Sequence, residues 1–425
     1  MHNRSAFSIV SALCLLLVSL SAHAVDFSPN STVDLPDFNP GDGSCQTAPT
    51  NPECTLRAAI MEANALAGAD RILLSGGTYT LTIGGTDEDG AETGDLDITD
   101  DLSILSAPGV LTTINAGALD RVFDVQGSAD TTFSGLIISG GDATISASAA
   151  YGGGIRSGST GTVLLQFCKL EFNRADAGGG LWKFGGPVEI HYSSLHGNQA
   201  IAGSTNPEGA AIRVEGGLLR IENSSIYNNS TVGNTGNIGS ISAKNGDIRI
   251  FSTTISGDNT FGINAYRSSL LLQNVTVTRN VRQGLAWTTI NGESRGLFIR
   301  NSIIADNDAN NGFEPDCLLN SKPGDTVDID GHNLSGDNSC GFAASSGNLV
   351  ATDPLLEPLN TSLLLPVHLP SGNSPVIDAG SPLDPTSGNP EACFQFDQLG
   401  RERETGRCDI GAVERLLLFR DGFDP

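Results

Sequence analysis

The sequence is poor in what most soluble enzymes and nucleic-acid binders rely on. It has four lysines, two methionines and two tryptophans, and its 23 basic residues face 48 acidic ones. A surplus of that sign excludes a phosphate-binding surface, which needs basic patches, and suits an exported chain kept soluble by self-repulsion. After the first 24 residues no stretch approaches the roughly 18 apolar residues of a membrane span. The six histidines show no metal-ligand spacing. The paired carboxylates of a polygalacturonase-like hydrolase are missing too: there is no Asn-Thr-Asp, no Asp-Asp within a coil strand and no Gly-His-Gly.

What is present begins with a secretory pattern over 1–24: His2 and Arg4, then the apolar Ile9 to Leu20, then Ala22-His23-Ala24. Cys14 lies inside it and lacks a lipoprotein-type neighbour. Seven cysteines remain. In an oxidising compartment their proximity pairs Cys45 with Cys54, Cys317 with Cys340 and Cys393 with Cys408. Cys168 is left as a small apolar side chain inside the fold.

Between these features the chain repeats. An aliphatic or aromatic residue is followed five places later by another aliphatic, and three places after that by Asn: Leu165-Leu170-Asn173, Ile190-Leu195-Asn198, Ile221-Ile226-Asn229, Leu272-Val277-Asn280 and Ile299-Ile304-Asn307. Phe133-Ile138-Gly141 and Ile250-Ile255-Asp258 are variants, and successive copies lie 22 to 32 residues apart. An earlier strand brings Ile155, Leu181, Ile212, Ile241, Ile263 and Leu285 in turn. Val188-Glu189-Ile190-His191 and Leu219-Arg220-Ile221-Glu222 alternate apolar and polar residues with period two, which is a strand pattern. Coils of this length bury their aliphatics only by stacking. The reading is an all-β, single-stranded right-handed parallel β-helix, a solenoid of roughly seven or more coils, with a short N-terminal capping helix and a C-terminal cap. The recurrent Asn is expected at a left-handed turn position, with side chains stacked in a ladder. The helix is expected over 54–66, with Leu56, Ile60, Ala63 and Ala67 on its buried face and Arg57 and Glu62 off it.

The two ends resemble known families. CTLRAAIMEANA followed by GADRILLSGGTYTLT resembles the CSLREA domain of secreted bacterial β-helix proteins, with Ala58 where that pattern has Glu. GDLDITDDLSI and TTINAGALDRVFDVQG are similar to its first coils. ATDPLLEPL, GNSPVIDAG, DQLGRE and CDIGAVE are similar to the choice-of-anchor Q domain, with NTSLLLP in place of its usual Asn-Gly-Gly-Pro-Thr step. The resemblance implies an exported, surface-associated protein. It divides the chain into a signal (1–24), a CSLREA-like cap (25–70), the β-helix (71–350), a Q-like cap (351–415) and a tail (416–425) similar to short Asp-Gly-Phe-Glu endings of exported proteins.

Two candidate sites follow from strand parity and from charge clustering. If Ile155, Leu181 and Ile212 point inward, then Arg156, Trp182 and Arg213 point out, and two places further lie Phe184, Glu215, Lys244 and Tyr266. Neighbouring coils are ~4.8 Å apart, so these side chains would form a basic and aromatic strip suited to an acidic glycan. The acidic run through Asp87, Asp89 and Asp95 offers oxygens to Ca²⁺, without EF-hand spacing; otherwise no cofactor is expected. The expected function is surface display, adhesion or glycan contact, with a cell-surface or extracellular glycan or protein as partner, no nucleic acid, and a monomeric state. Catalysis is not expected. The alternative is a polysaccharide lyase or glycoside hydrolase using the neighbourhood of Arg156, Trp182, Lys183 and Arg213.

Overall fold

The computed structural model describes residues 24–146, 150–201, 208–233, 238–308, 314–329, 331–406 and 408–415. The expected signal over 1–24, apart from Ala24, and the tail 416–425 lie outside the described residues. The chain is a right-handed β-solenoid of about nine turns. Among the described residues its strands stack in parallel into a first sheet of 11 strands, a second of 10 and a third of 9, with a small sheet of 3 beside them.

The repeat read from the sequence is the register of the stack. Phe133, Leu165, Ile190, Ile221, Ile250, Leu272 and Ile299 are partners across the first sheet. Ile138, Leu170, Leu195, Ile226, Ile255, Val277 and Ile304 are partners across the second. All fourteen side chains are fully buried. Each aliphatic removed from water contributes about 1.5–3 kcal/mol, and it does so against the coils above and below.

The Asn ladder forms. Asn173 Nδ2 donates to Asn198 Oδ1 (3.1 Å), Asn198 Nδ2 to Asn229 Oδ1 (3.1 Å), Asn229 Nδ2 to Asp258 Oδ1 (3.0 Å) and Asn280 Nδ2 to Asn307 Oδ1 (2.9 Å). The left-handed residue is not the ladder Asn, as expected from the sequence, but the one before it: Phe172, Gly197, Asn228, Gly257, Arg279 and Asp306, with φ between 53° and 67°. That placement turns the next side chain inward, where its amide reaches the coil below. Asp258 takes the ladder position without an amide, and burial pushes its carboxyl up to about 8.

Disulfides join Cys45–Cys54, Cys317–Cys340 and Cys393–Cys408, as proximity suggested, and Cys168 is buried and free. Cys317 lies within a strand of the third sheet, opposite Leu285, so this staple ties the last stacked coil rather than a region outside the repeats.

The helix spans Leu56–Ala65, and Thr55 caps it by accepting from Ala58 N (3.1 Å). Leu56, Ile60 and Ala63 join the solenoid core, while Ala67 lies past the helix end and is exposed. Two expectations are corrected here: Arg57 and Glu62, assigned off the buried face, are 1% and 0% exposed. Arg57 Nε pairs with Asp34 (2.7 Å), and its other nitrogens donate to the carbonyls of Ala91, Gly94 and Asp95. Glu62 accepts from the backbone N–H groups of Gly41 and Gly43. Residues 25–54 wrap over the helix, so its second face is covered as well.

The C-terminal cap has two parts. Cys340 and Phe342 join the core at the end of the stack, where Leu349 bridges to Leu334. The segment 351–415 then returns along the flank between the first and second sheets. Asn223 Nδ2 donates to Asp397 O (2.6 Å), Ser252 Oγ to Phe396 O (2.7 Å), and Gly411 N to Asn301 O (2.8 Å). No helix of the described residues is long and apolar enough to cross a membrane.

Candidate functional site

The third sheet carries the outward strip. Ile155, Leu181, Ile212, Ile241, Ile263 and Leu285 are partners in register and fully buried, so parity turns the neighbouring residues out. Asp97, Asp124, Arg156, Trp182, Arg213 and Ser242 follow one another across six coils. Two positions along the strands, Phe184, Glu215, Lys244, Tyr266 and Thr288 form a second column.

These columns line a groove. One section of about 420 Å³ is walled by Tyr151, Trp182, Phe184, Glu208, Arg213 and Lys244. A second of about 300 Å³ continues it past Arg213 and Lys244 to Asn264, Tyr266 and Thr288. Five of the six expected ligand residues thus meet in one groove. Arg156 stands beside it, its Nη1 held by Asp124 Oδ2 (2.5 Å).

Tyr151 and Glu208, which complete the wall, were not anticipated because they come from loops. A signal existed: each precedes the inward anchor of its coil by four residues, as Ala177 does, and the three form successive parallel bridges. The second glycine of the runs before these strands is needed for closeness rather than for its torsion. A Cβ on Gly153 would stand 2.4 Å from Arg174 O, and one on Gly179 2.5 Å from Ala210 O.

The strip is not the free basic surface expected. Arg213 is 4% exposed, and its Nη2 donates to both Glu208 (2.6 Å) and Glu215 (2.8 Å). A guanidinium flanked by two carboxylates leaves no positive surplus there. Lys183, assigned to the catalytic alternative, points inward instead. Its Nζ is buried and donates to Ser157 Oγ (2.9 Å), Ser159 O (2.6 Å) and Gly161 O (2.8 Å), and burial lowers its pKa to about 8. Lys244 remains, with no ion pair or hydrogen bond to its side chain among the described residues.

Trp182 is the middle of an aromatic stack. Tyr151 lies 5.2 Å from it on one side and Phe184 6.3 Å on the other, both within 14° of parallel. The ring left open is Phe184, 59% exposed, and Tyr266 further along is 38% exposed.

The acidic run is regrouped by the fold. Asp87 accepts from Ser146 Oγ (2.9 Å), and Asp95, 1% exposed, accepts from Arg121 Nη1 (2.9 Å). Asp89 meets Asp97 and Asp124 instead. Asp87 and Asp95 were chosen for closeness in sequence, but a bend and a buried strand end aim them elsewhere.

No protein-family model and no curated protein matches the chain. Among solved structures it is similar to the crystal structure of pectate lyase Pel9A, with a TM-score of 0.50 and 15% identity over 94% of this chain and 98% of that one. At that identity the likeness is one of fold: both are parallel β-helices of similar extent.

Proposed function

We propose that this is an exported, surface-associated β-helix protein that binds glycans along the groove of its third sheet without cleaving them. The observation that carries the reading is the pairing of an open aromatic ring, Phe184, with the ammonium of Lys244 two coils away, which meets no partner among the described residues. A sugar ring packs its C–H face on an aromatic ring, and an ammonium meets a hydroxyl or carboxylate. The three disulfides fit an oxidising destination. The resemblance of the ends to CSLREA and choice-of-anchor Q domains supports display at a surface.

One observation favours cleavage as a second reading. Glu208 and Glu215 converge on Arg213 beside Lys244, which places two acids and a free amine in the groove. A lyase needs a base beside groups that neutralise a carboxylate, and a hydrolase needs two acids about one bond.

Retention on immobilised neutral and acidic polysaccharides, recorded together with product release, separates the readings. Phe184→Ala is expected to weaken retention about tenfold with an unchanged melting temperature, because the ring is exposed. Lys244→Met is expected to weaken retention of acidic polysaccharides alone. Unsaturated or reducing-end products that vanish in Glu215→Gln would replace binding with catalysis. No retention on any polysaccharide would overturn the glycan reading and leave protein adhesion or display.

A further inference from the structure

On the outward column of the third sheet, N-terminal to the groove, the charge does not balance. Asp95, Asp97, Asp120 and Asp124 are each no more than 2% exposed, and among the described residues only the cations Arg121 and Arg156 face them; nearby Arg57 is taken up by Asp34. Two buried carboxylates are therefore in excess, and burying an uncompensated charge is costly.

Asp97 and Asp124 are partners on adjacent strands, and Asp89 enters from the preceding loop. One carboxylate oxygen from each lies within 4.8 Å of the other two. Oxygens about 2.4 Å from a shared Ca²⁺ can be no more than about 4.8 Å apart, so the spread is that of one ligand sphere. Asp124 adds an independent sign. Arg156 and Arg121 both address its Oδ2, while its Oδ1 is buried and meets no donor among the described residues. Gln126 adds another: its Nε2 donates to Asp89 Oδ1 (3.0 Å) and Asp97 Oδ1 (2.9 Å), placing a positive dipole against both acids. Turning that amide over would present Oε1 from the same place, an exchange of nearly identical shape.

We propose that Asp89, Asp97 and Asp124 bind a Ca²⁺ ion, with Gln126 Oε1 and water completing the oxygen shell. Asp89, exposed on its loop, is the side from which the ion enters. Ca²⁺ is favoured over Mg²⁺ because ligands from two strands and a loop tolerate irregular geometry, whereas Mg²⁺ demands a tight octahedron. The inference is independent of what the groove binds.

The test is calorimetric titration of the chelator-stripped chain with CaCl₂, alongside melting curves with and without the ion. Saturable 1:1 binding is expected, with a Kd on the order of 10⁻⁴ M, as for other extracellular modules. Asp89→Asn should weaken it about tenfold or more without moving the melting temperature of the stripped protein, because Asp89 is exposed. Asp97→Asn should remove the response to Ca²⁺. MgCl₂ should bind at least about tenfold more weakly. Absence of saturable binding in the native chain overturns the proposal. So does binding left unchanged in Asp89→Asn, which folds whether or not Asp97→Asn does.

Discussion

The two ends of the solenoid solve the same problem with different backbones, a helix at one and an irregular segment at the other. At the N-terminal end the chain lays one helix over the first coil and buries charge beneath the covering loops: Arg57 on Asp34 and three carbonyls, Glu62 on two amides. At the C-terminal end it closes the last coil with Cys340 and Phe342, then folds an irregular segment back along the flank, tied to several coils by neutral hydrogen bonds and within itself by buried Arg403 on Glu414 and two carbonyls. A helix satisfies its own backbone, so it can cover an open core at once. An irregular segment must find a partner for each group, so it spreads over the turn residues of several coils. Both ends bury an arginine on an acid and on carbonyls, but the first docks a helix on one coil and the second distributes its contacts over several.

Arg57→Ala should break the first arrangement most severely. It leaves Asp34 buried and unpaired, a loss of about 3–5 kcal/mol, visible as a fall in the denaturant midpoint of the whole stack. Asp34→Ala should cost a similar amount, and the double variant less than the sum of the two.

Acidity should affect His368 in the returning segment and Asp97 in the N-terminal coils in opposite directions. His368, 3% exposed, accepts from Ser256 Oγ (2.7 Å) and donates from Nδ1 to Glu357 O (2.7 Å), and burial lowers its pKa to about 4. Its ordinary value is 6.5, so between pH 6.5 and 4 the unfolded chain binds the proton more readily. The contacts of His368 then lose stability as pH falls through that window, by roughly 3 kcal/mol, while Glu414 of the same segment, raised to about 7 by burial, acts in the opposite sense. Asp97 has the reverse sign, with a folded pKa of about 7 against an ordinary 3.8. In chelator, the N-terminal coils lose stability as pH rises from 4 towards 7, on the order of 4 kcal/mol. Hydrogen exchange at pH 4.5 and 7.5 should show protection falling in opposite senses around His368 and Ser256 and around Asp97; a uniform change would refute the contrast.

Asn274→Ala tests the distributed end. Asn274 accepts from Phe394 N (2.7 Å), donates towards Asp409 O and Gly411 O, and holds φ at 54°. Its loss should cost about 2 kcal/mol and loosen the segment around 392–411 without opening the coils beneath, as limited proteolysis would detect. The last test belongs to the middle of the stack, between the ends. Asp258→Asn supplies the missing ladder amide and removes a buried acid, so it should stabilise the chain at pH 7, by up to about 4 kcal/mol on the same linkage. The gain should grow as pH rises towards 8, where the native carboxyl ionises.

Much of this was legible in the residues. The spacing of Leu165, Leu170 and Asn173 and of their copies is the observed register, because a side chain that packs only on the coils above and below must recur in step with them. The parity that turned Trp182 and Phe184 outward held for the same reason, and it also placed Lys183 inside. The burial of Arg57 and Glu62 was not legible, since an amphipathic pattern tells nothing of a loop that later covers the polar face. Nor was the residue that takes the left-handed turn, which shifted by one to aim the ladder amide inward.

The sequence by itself determined the stack, its register and which column of side chains faces out, because these depend on period-two alternation and on contacts that repeat from coil to coil. Only the tertiary structure decided which charges in that column are free. Glu208 reaches Arg213 from a loop, Asp124 reaches Arg156 from the preceding coil, and Asp89 joins Asp97 and Asp124 across a bend. Charge pairing acts over a few ångströms in space, and loops of unequal length bring those partners together from distances that no spacing rule records.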